Sequence, residues 1–402
     1  MSINKTLLNK GYKFRIYPTE EQKVFFEKTF GCCRKVYNIL LTDSIEQYKL
    51  YQQDKIGKPK VSSYDFNNLL PNLKSRDDYI YLNEVSSKAL QYSAFALGDA
   101  FKRFFKTKKG FPQFKSKHSN TQSFTLESYE PGAKYFHIKD KVLTIAKLDI
   151  PIKVVWHREL PSTPTKVTIS KNPAGQYFAS FLCKYRPEPT NGQGIVGIDL
   201  GIKTLATMSN GVEISNPKHY VKSQKKLTIL QRRLSKKKKG SKNRDKARLK
   251  VARLHLKIAN QRQDYLHKLS RSLVNDNQVI VIEDLHVKGM SRNHNLAKHI
   301  LDGGFGLFRK MLEYKTIESS WCRLMIADRY YPSTQLCSAC LVKPKVKIKL
   351  GVTQWTCFNC NSIHQRDDNA SKNLEGLATR NPQLWLEYPG NIILCKNYEE
   401  LM

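Results

Sequence analysis

Three things are scarce in this chain of 402 residues: long apolar runs, acidic side chains, and cysteines at matched spacing outside one cluster. No stretch of about 18 apolar residues occurs, which excludes a membrane-spanning helix of ordinary length. No apolar signal core follows Met1, so a cytoplasmic location with no membrane partner is expected. Acid falls short by half, with 34 Asp and Glu against 69 Lys and Arg and a net charge of +35. Such an excess repels itself unless a polyanion balances it. Nucleic acid is therefore the expected partner, with an anionic membrane surface the lesser alternative. Cys32, Cys33, Cys183, Cys322 and Cys395 share no common spacing, which argues against a disulfide framework. What is present suits a folded protein of two or three domains: 40% hydrophobic and 10% aromatic residues.

The run Tyr12 to Tyr17 alternates apolar and basic residues like a half-exposed strand and stops at Pro18. Thr19-Glu20-Glu21-Gln22 has the form of a capping box, and helical spacing continues to about residue 106. In its last helix Leu90, Ala94, Leu97, Phe101 and Phe104 make a core stripe. Lys102, Arg103 and Lys106 crowd its exposed end before Gly110-Phe111-Pro112 closes the block. From Thr121 to Tyr185 short β-like runs follow at 136–138, 142–145, 166–170 and 177–183, divided by Gly, Pro, Asp and Asn. Strands at this spacing suggest a small barrel that the isolated first strand completes, with the helical block inserted. Arg186 to Gly192 reads as a linker.

The second half opens on Ile195-Val196-Gly197-Ile198-Asp199-Leu200, the pattern of a central strand covered on both faces. A strand from Thr204 to Ser209 and the hairpin signal Asn210-Gly211 follow. Residues 222–257 then hold sixteen Lys or Arg and one acid, Asp245. Leucines at helical spacing make this two amphipathic helices joined through Lys236, Lys237, Lys238 and Lys239. A charge run of this kind is either a solvated face or, given its one sign, a phosphate-binding surface.

Two constellations carry chemistry. Cys337-x-x-Cys340 and Cys357-x-x-Cys360, with sixteen residues between them, are paired knuckles suited to a tetrahedral, closed and therefore structural Zn²⁺ site. The second set is acidic. Asp199 and Glu283 each end an apolar strand, where open α/β sheets place ligands, although taken singly either could simply mark a strand's exit. In Arg366-Asp367-Asp368-Asn369-Ala370, helical spacing puts Asp367 above the stripe Ala370, Leu374, Leu377 and turns Asp368 to solvent. Three acids at one sheet edge repel one another unless cations intervene, and hard oxygen ligands select Mg²⁺ or Mn²⁺. Two such ions would activate water and stabilise a leaving oxygen in phosphodiester hydrolysis.

Across nearly its whole length the chain resembles the TnpB proteins of bacterial and archaeal insertion sequences, relatives of the type V CRISPR nucleases. The likeness is carried by Tyr12–Pro18, Phe30-Gly31-Cys32-Cys33-Arg34, Gly110–Lys115, Gly197-Ile198-Asp199-Leu200-Gly201, Ile282-Glu283-Asp284-Leu285, Tyr331-Pro332-Ser333-Thr334, the knuckles and Arg366-Asp367-x-Asn369-Ala370. One departure is Leu341 after Cys340, where glycine is common in the family. The resemblance implies Asp199, Glu283 and Asp367 as the triad of a metal-dependent, RNA-guided DNA endonuclease. Its guide RNA would come from the transposon end and its target would be double-stranded DNA, with the enzyme monomeric and nucleoid-associated. A guide-dependent repressor without cleavage and a transposase or transposase accessory protein are the rival readings.

The implied fold class is α+β multidomain. Residues 1–18 and 119–190 form a wedge-like β-barrel, and 19–118 an inserted recognition-like helical bundle. Residues 194–330 and 363–380 form an RNase H-fold (RuvC-like) nuclease domain. Residues 331–362 are its inserted zinc ribbon and 381–402 a tail whose role the sequence leaves open.

Overall fold

The computed structural model describes residues 7–119, 121–128, 135–349, 351–388 and 390–395, which divide after Tyr185 into two units. In the first, strand β1 (Leu8–Ile16) points Tyr12, Phe14 and Ile16 inward and Lys13 and Arg15 outward. Its period of two matches the alternation in the sequence. After Pro18 the Thr19 hydroxyl accepts from Gln22 N and the Gln22 side chain returns to Thr19 N, a capping box that opens helix α1 (Glu20–Gln52). Gln22 also donates to the carbonyls of Ile150 and Pro151 at 3.1 and 3.0 Å, pinning the helix start to the later strands.

Helices α2 (Ser63–Asn68) and α3 (Leu70–Ser75), a 3₁₀ turn at Asp77–Glu84 and α4 (Ser87–Thr107) follow. On α4 Leu90, Ala94, Leu97 and Phe101 are buried, Phe104 is half-buried, and Lys102, Arg103 and Lys106 are exposed. Then come β2 (Gln122–Glu127), β3 (Phe136–Lys139), β4 (Val142–Ile145), β5 (Leu148–Ile152), β6 (Val154–Val155), β7 (Lys166–Lys171) and β8 (Tyr177–Tyr185). They pair as a five-stranded sheet, β2-β7-β8-β1-β6, and a three-stranded one, β3-β4-β5. The first strand runs antiparallel to β8 along its whole length, from Leu8 opposite Tyr185 to Ile16 opposite Tyr177. Among the described residues the end strands β2 and β6 do not pair with each other.

The second unit starts with β9 (Gly194–Leu200), β10 (Thr204–Met208) and β11 (Glu213–Ser215), antiparallel neighbours turned at Asn210-Gly211. Helices α5 (His219–Ser235) and α6 (Lys242–Asp276) form the basic pair, closed on a small core of Leu227, Leu254 and Ile258. Lys236 to Lys239 are exposed in their connection, which Arg244 braces by donating to the carbonyls of Leu234 and Lys237 at 3.1 and 2.9 Å. After β12 (Asn277–Ile282) come α7 (Val287–Met290), α8 (His294–Gly303), α9 (Phe305–Ser319) and β13 (Arg323–Ile326). The small hairpin β14 (Gln354–Thr356) and β15 (Ile363–Gln365) leads to α10 (Arg366–Arg380), α11 (Gln383–Leu386) and β16 (Ile392–Leu394).

The main sheet has the order β11-β10-β9-β12-β13-β16, antiparallel at its first three strands and parallel from β9 to β16. Both faces of β12 are covered. Val279 and Val281 pack under Leu374 and Leu377 of α10, while Ile280 and Ile282 face Leu266, Phe308 and Met311 of α6 and α9. This explains the unbroken apolar run there. The chain after Arg380 also packs: Trp385 is buried, its Nε1 donates to Ala378 O at 3.0 Å, and β16 adds to the sheet edge. The sequence left those residues open because a stretch from Glu387 to Asn391 divides two short apolar pieces, neither long enough to show a period.

Candidate functional site

Asp199 sits near the end of β9, Glu283 follows β12, and Asp367 is the second residue of α10. β9 and β12 are parallel neighbours with Ile198 opposite Ile282, so Asp199 and Glu283 leave the sheet at the same edge. Gly197 brings the third element in. A Cβ there would lie 2.0 Å from Ser371 O and 2.3 Å from Glu375 N, so only glycine lets α10 rest on the strand beside Asp199.

Asp199 is 8% exposed. Burial holds its carboxyl well above the ordinary carboxylate range, the charges of Glu283 and then Asp367 push it further, and the Arg366 guanidinium works against them. Burial raises Glu283 as well, opposed by a hydrogen bond from the Ser333 hydroxyl to its Oε1 and by Arg366. The structure therefore brings all three acids within electrostatic reach. They are not tightly clustered: among the described residues only the four cysteines offer ligand atoms all within 4.8 Å of one another. As a donor set the acids fit a hard divalent cation, because added positive charge offsets the repulsion that raises the Asp199 carboxyl.

Two neighbouring acids are instead tied up in ion pairs. Asp284, next to Glu283, is bound by Arg309 and by Arg329 (2.6 Å). Partial burial would raise its carboxyl, but those guanidinium groups hold it below the usual range. Asp368 pairs with Lys372 at 2.8 Å. Burial on α10 corrects the helical reading, since Asp367 is exposed and Asp368 half-buried. Asp367 lies in the first turn of the helix, one turn before Ser371, where α10 meets Gly197 of β9.

The cysteines meet as a tetrahedral cage. Cys337 and Cys360 sulfurs lie 3.6 Å apart, as do those of Cys340 and Cys357. Four thiolates about 2.3 Å from Zn²⁺ define a tetrahedron with edges of roughly 3.8 Å, so the set fits that ion. The knuckles repeat one backbone pattern. Leu341 N donates to Cys337 O at 2.8 Å and Asn361 N to Cys357 O at 2.9 Å, with φ of 61° and 58°. The Ser362 hydroxyl and amide draw the Cys360 thiol down to about 6, whereas burial pushes Cys337 up to about 12, so metal binding must displace its proton.

The two centres share supports that sequence spacing did not reveal. Asn369, fully buried, donates to Leu336 O at 2.7 Å and accepts from Ser338 N at 2.8 Å. Asn373, equally buried, donates to Ser333 O at 2.7 Å and Leu336 O at 2.6 Å. Helix α10 thus holds both the first knuckle and the segment whose Ser333 grips Glu283. His364 places Nε2 3.1 Å from Cys337 Sγ, a partner at the distance that orients a thiolate ligand. The signal for the asparagines was their offset of four on the buried side of α10, where polar residues need a reason to be.

Compared with known proteins, the chain is 39% identical over 379 residues to a Streptomyces pristinaespiralis protein named "Putative RNA-guided DNA endonuclease", covering 92% of this chain and 90% of that one. The chain belongs to the TnpB family. Its residues 166–294 match a family model described as "Probable transposase", 6–53 a "Helix-turn-helix domain" and 305–374 a "Cas12f1-like, TNB domain". A second TnpB relative, the Escherichia coli K12 protein "Putative RNA-guided DNA endonuclease InsQ", is 29% identical over 91% of each chain. Among solved structures, the "Cas12f1-sgRNA-target DNA complex" matches with a TM-score of 0.53 and 12% identity, over 92% of this chain and 99% of that one. That likeness shows that this TnpB chain has an α+β fold similar to Cas12f1. No helix among its described residues is long and apolar enough to cross a membrane.

Proposed function

We propose that this TnpB protein is an RNA-guided DNA endonuclease of a transposable element, and that Asp199, Glu283 and Asp367 hydrolyse the phosphodiester on an RNase H-type sheet. The convergence of these acids from three separate elements, with the Asp199 carboxyl pushed up by burial and by its two acidic neighbours, carries the reading. Mg²⁺ or Mn²⁺ bound there would offset the repulsion among the three acids, supply a nucleophilic water and stabilise the leaving oxygen. Ser333 fixes one oxygen of Glu283, so that carboxylate presents its other oxygen to the site. Zn²⁺ at Cys337, Cys340, Cys357 and Cys360 has a structural role, fixing the turn that Asn369 and Asn373 grip.

In this reading the transposon-end RNA chooses the target by base pairing, while the protein holds phosphates and shape. The first unit serves as wedge-like barrel and recognition-like helices. The test is cleavage of guide-matched duplex by protein purified with its RNA. Asp199→Ala, Glu283→Ala and Asp367→Ala should each lower the rate by about a thousandfold or more, with RNA binding intact and Asp368→Ala near parental. Binding without metal-dependent cleavage by the parent would instead establish a guide-dependent repressor.

The exposed lysine run binds phosphates in the same complex. Replacing Lys236, Lys237, Lys238 and Lys239 together with Ser should flatten the log–log salt dependence of RNA binding, by roughly 0.7–0.9 for each phosphate no longer neutralised, for every guide sequence alike. An unchanged slope would make that loop a solvated face and leave Lys102, Arg103 and Lys106 as the candidates.

A further inference from the structure

Directly beside Glu283 lies a cleft of about 280 Å³ with no counterpart in the chemistry described above. Its walls are Leu200 at the end of β9, Ile282 and Leu285 flanking Glu283, and Phe305 on α9. Its floor on the helix side is Gly306, the second residue of α9. A Cβ built on Gly306 meets no atom within 4 Å. This glycine is therefore not required by packing, in contrast to Gly197, where a Cβ would strike backbone. At the second position of α9 the effect of Gly306 is to leave the cleft wider by one side chain.

The rim is polar. Arg309 is occupied by Asp284 and Glu313, while Lys310 is exposed and makes no ion pair among the described residues. A slot with apolar walls, a polar edge and one uncommitted ammonium, opening at a carboxylate, matches a planar aromatic ring with hydrogen-bonding edges and an attached phosphate.

We propose that this cleft seats the nucleobase next to the phosphodiester being cut, with Gly306 giving the base its room and Lys310 meeting the neighbouring phosphate. The inference rests on the nuclease reading and deepens it. A base held there fixes the sugar–phosphate in register with Asp199 and Glu283, so its energy is used for positioning. Any of the four bases presents an apolar face, and the seat is accordingly tolerant of sequence. Taking a base into it requires an unpaired strand, as in other enzymes that extrude a nucleotide.

The experiment is a cycle between protein and substrate, using the full chain with its RNA and guide-matched DNA. Gly306→Leu fills the cleft; Gly306→Ala adds one methyl in open space and serves as the mild variant. On the substrate side, abasic sites are placed singly at each nucleotide flanking the cut. Base seating of this kind is worth about 1–3 kcal/mol, so Gly306→Leu should cut intact DNA roughly 5- to 150-fold more slowly. Gly306→Ala should lose much less. One abasic position should slow the parent by a similar factor, and combining it with Gly306→Leu should cost little more, because both remove the same interaction. The melting temperature and its rise with Mg²⁺ should match the parent in Gly306→Leu, which excludes displaced acids as the cause.

Parental cleavage by Gly306→Leu would overturn the proposal and leave the nuclease reading intact. So would losses that multiply fully in the combined case. A parent that does not cut at all would overturn both.

Discussion

The cysteine cage and the acid cluster both lean on the first turns of α10, yet they are built in opposite ways. The cage is local. Each knuckle is closed by its own amides, and both repeat the same left-handed residue after the second cysteine. It can form once the segment from Cys337 to Cys360 collapses on a metal ion. The acids are non-local, with Asp199 and Glu283 84 positions apart in the chain and Asp367 a further 84 along. They meet only because β9 and β12 pair in register and Gly197 admits α10. The cage's ligands come from one local segment, whereas the acid cluster needs the sheet and the α10 contacts that also hold the first knuckle. The dependence runs through Asn369 and Asn373.

That asymmetry can be broken from the cage side, where the expected effect is large. Elemental analysis of the parent should find one zinc per chain; Cys337→Ser or Cys360→Ser should lose it and release the start of α10, lowering cleavage together with stability. Active, freshly purified protein without zinc would refute the structural role of the cage. The connection itself is tested by Asn373→Leu, which leaves every cysteine in place. Ser333 O loses its short donor while Leu336 O keeps Asn369, at a cost of about 1–3 kcal/mol. Zinc content should stay at one per chain while cleavage falls. If both stay parental, the two centres are independent.

How much of this could be read from the sequence follows the same division. Locally encoded features were legible: the capping box at Thr19, the core stripe of α4, the paired knuckles, and the apolar strand that ends at Glu283 all follow from spacing alone. Asp199 and Glu283 could be suspected from their place at strand ends. Features that depend on chain crossing were not legible. The orientation of Asp367 came out differently because helical periodicity says which side of α10 is buried but not at which turn the helix meets the sheet. The grip of Ser333 on Glu283 joins residues 50 apart, and the role of Trp385 in the core depends on β16 reaching the sheet edge. No period in the sequence marks either contact.

From the acid side, a smaller effect of opposite sign is expected. Asp199 carries a raised carboxyl in the metal-free fold, so the folded state binds a proton more tightly than the unfolded chain does. Stability then decreases as pH rises through the folded value and is regained as pH falls toward the ordinary carboxylate range near 4. Asp199→Asn removes the buried charge, and in chelator at neutral pH it should stabilise the protein by roughly 1–3 kcal/mol while abolishing cleavage. It should also flatten the pH dependence of the melting temperature above about 4. A variant that melts lower than the parent under these conditions would mean that the three acids do not repel in the free protein.

The smallest effect returns to the cage, at its one unfavourable residue. Leu341 follows Cys340 with φ of 61°, while the matching position in the other knuckle is Asn361 at 58°. Asparagine enters the left-handed region readily, but a leucine there suffers a clash between its Cβ and the backbone worth about 1–2 kcal/mol. The knuckle holds it because Leu341 N must reach Cys337 O to close the turn. The side chain is 38% exposed, so its loss removes little apolar burial. Leu341→Gly relieves the clash but adds roughly 0.5–1 kcal/mol of backbone entropy in the unfolded chain. The balance is a gain within about 1 kcal/mol, read as a slightly higher melting temperature of the zinc-loaded protein and slower zinc loss to a chelator. Faster zinc loss would instead show that the leucine side chain shields the cage, making the departure from glycine at this position protective.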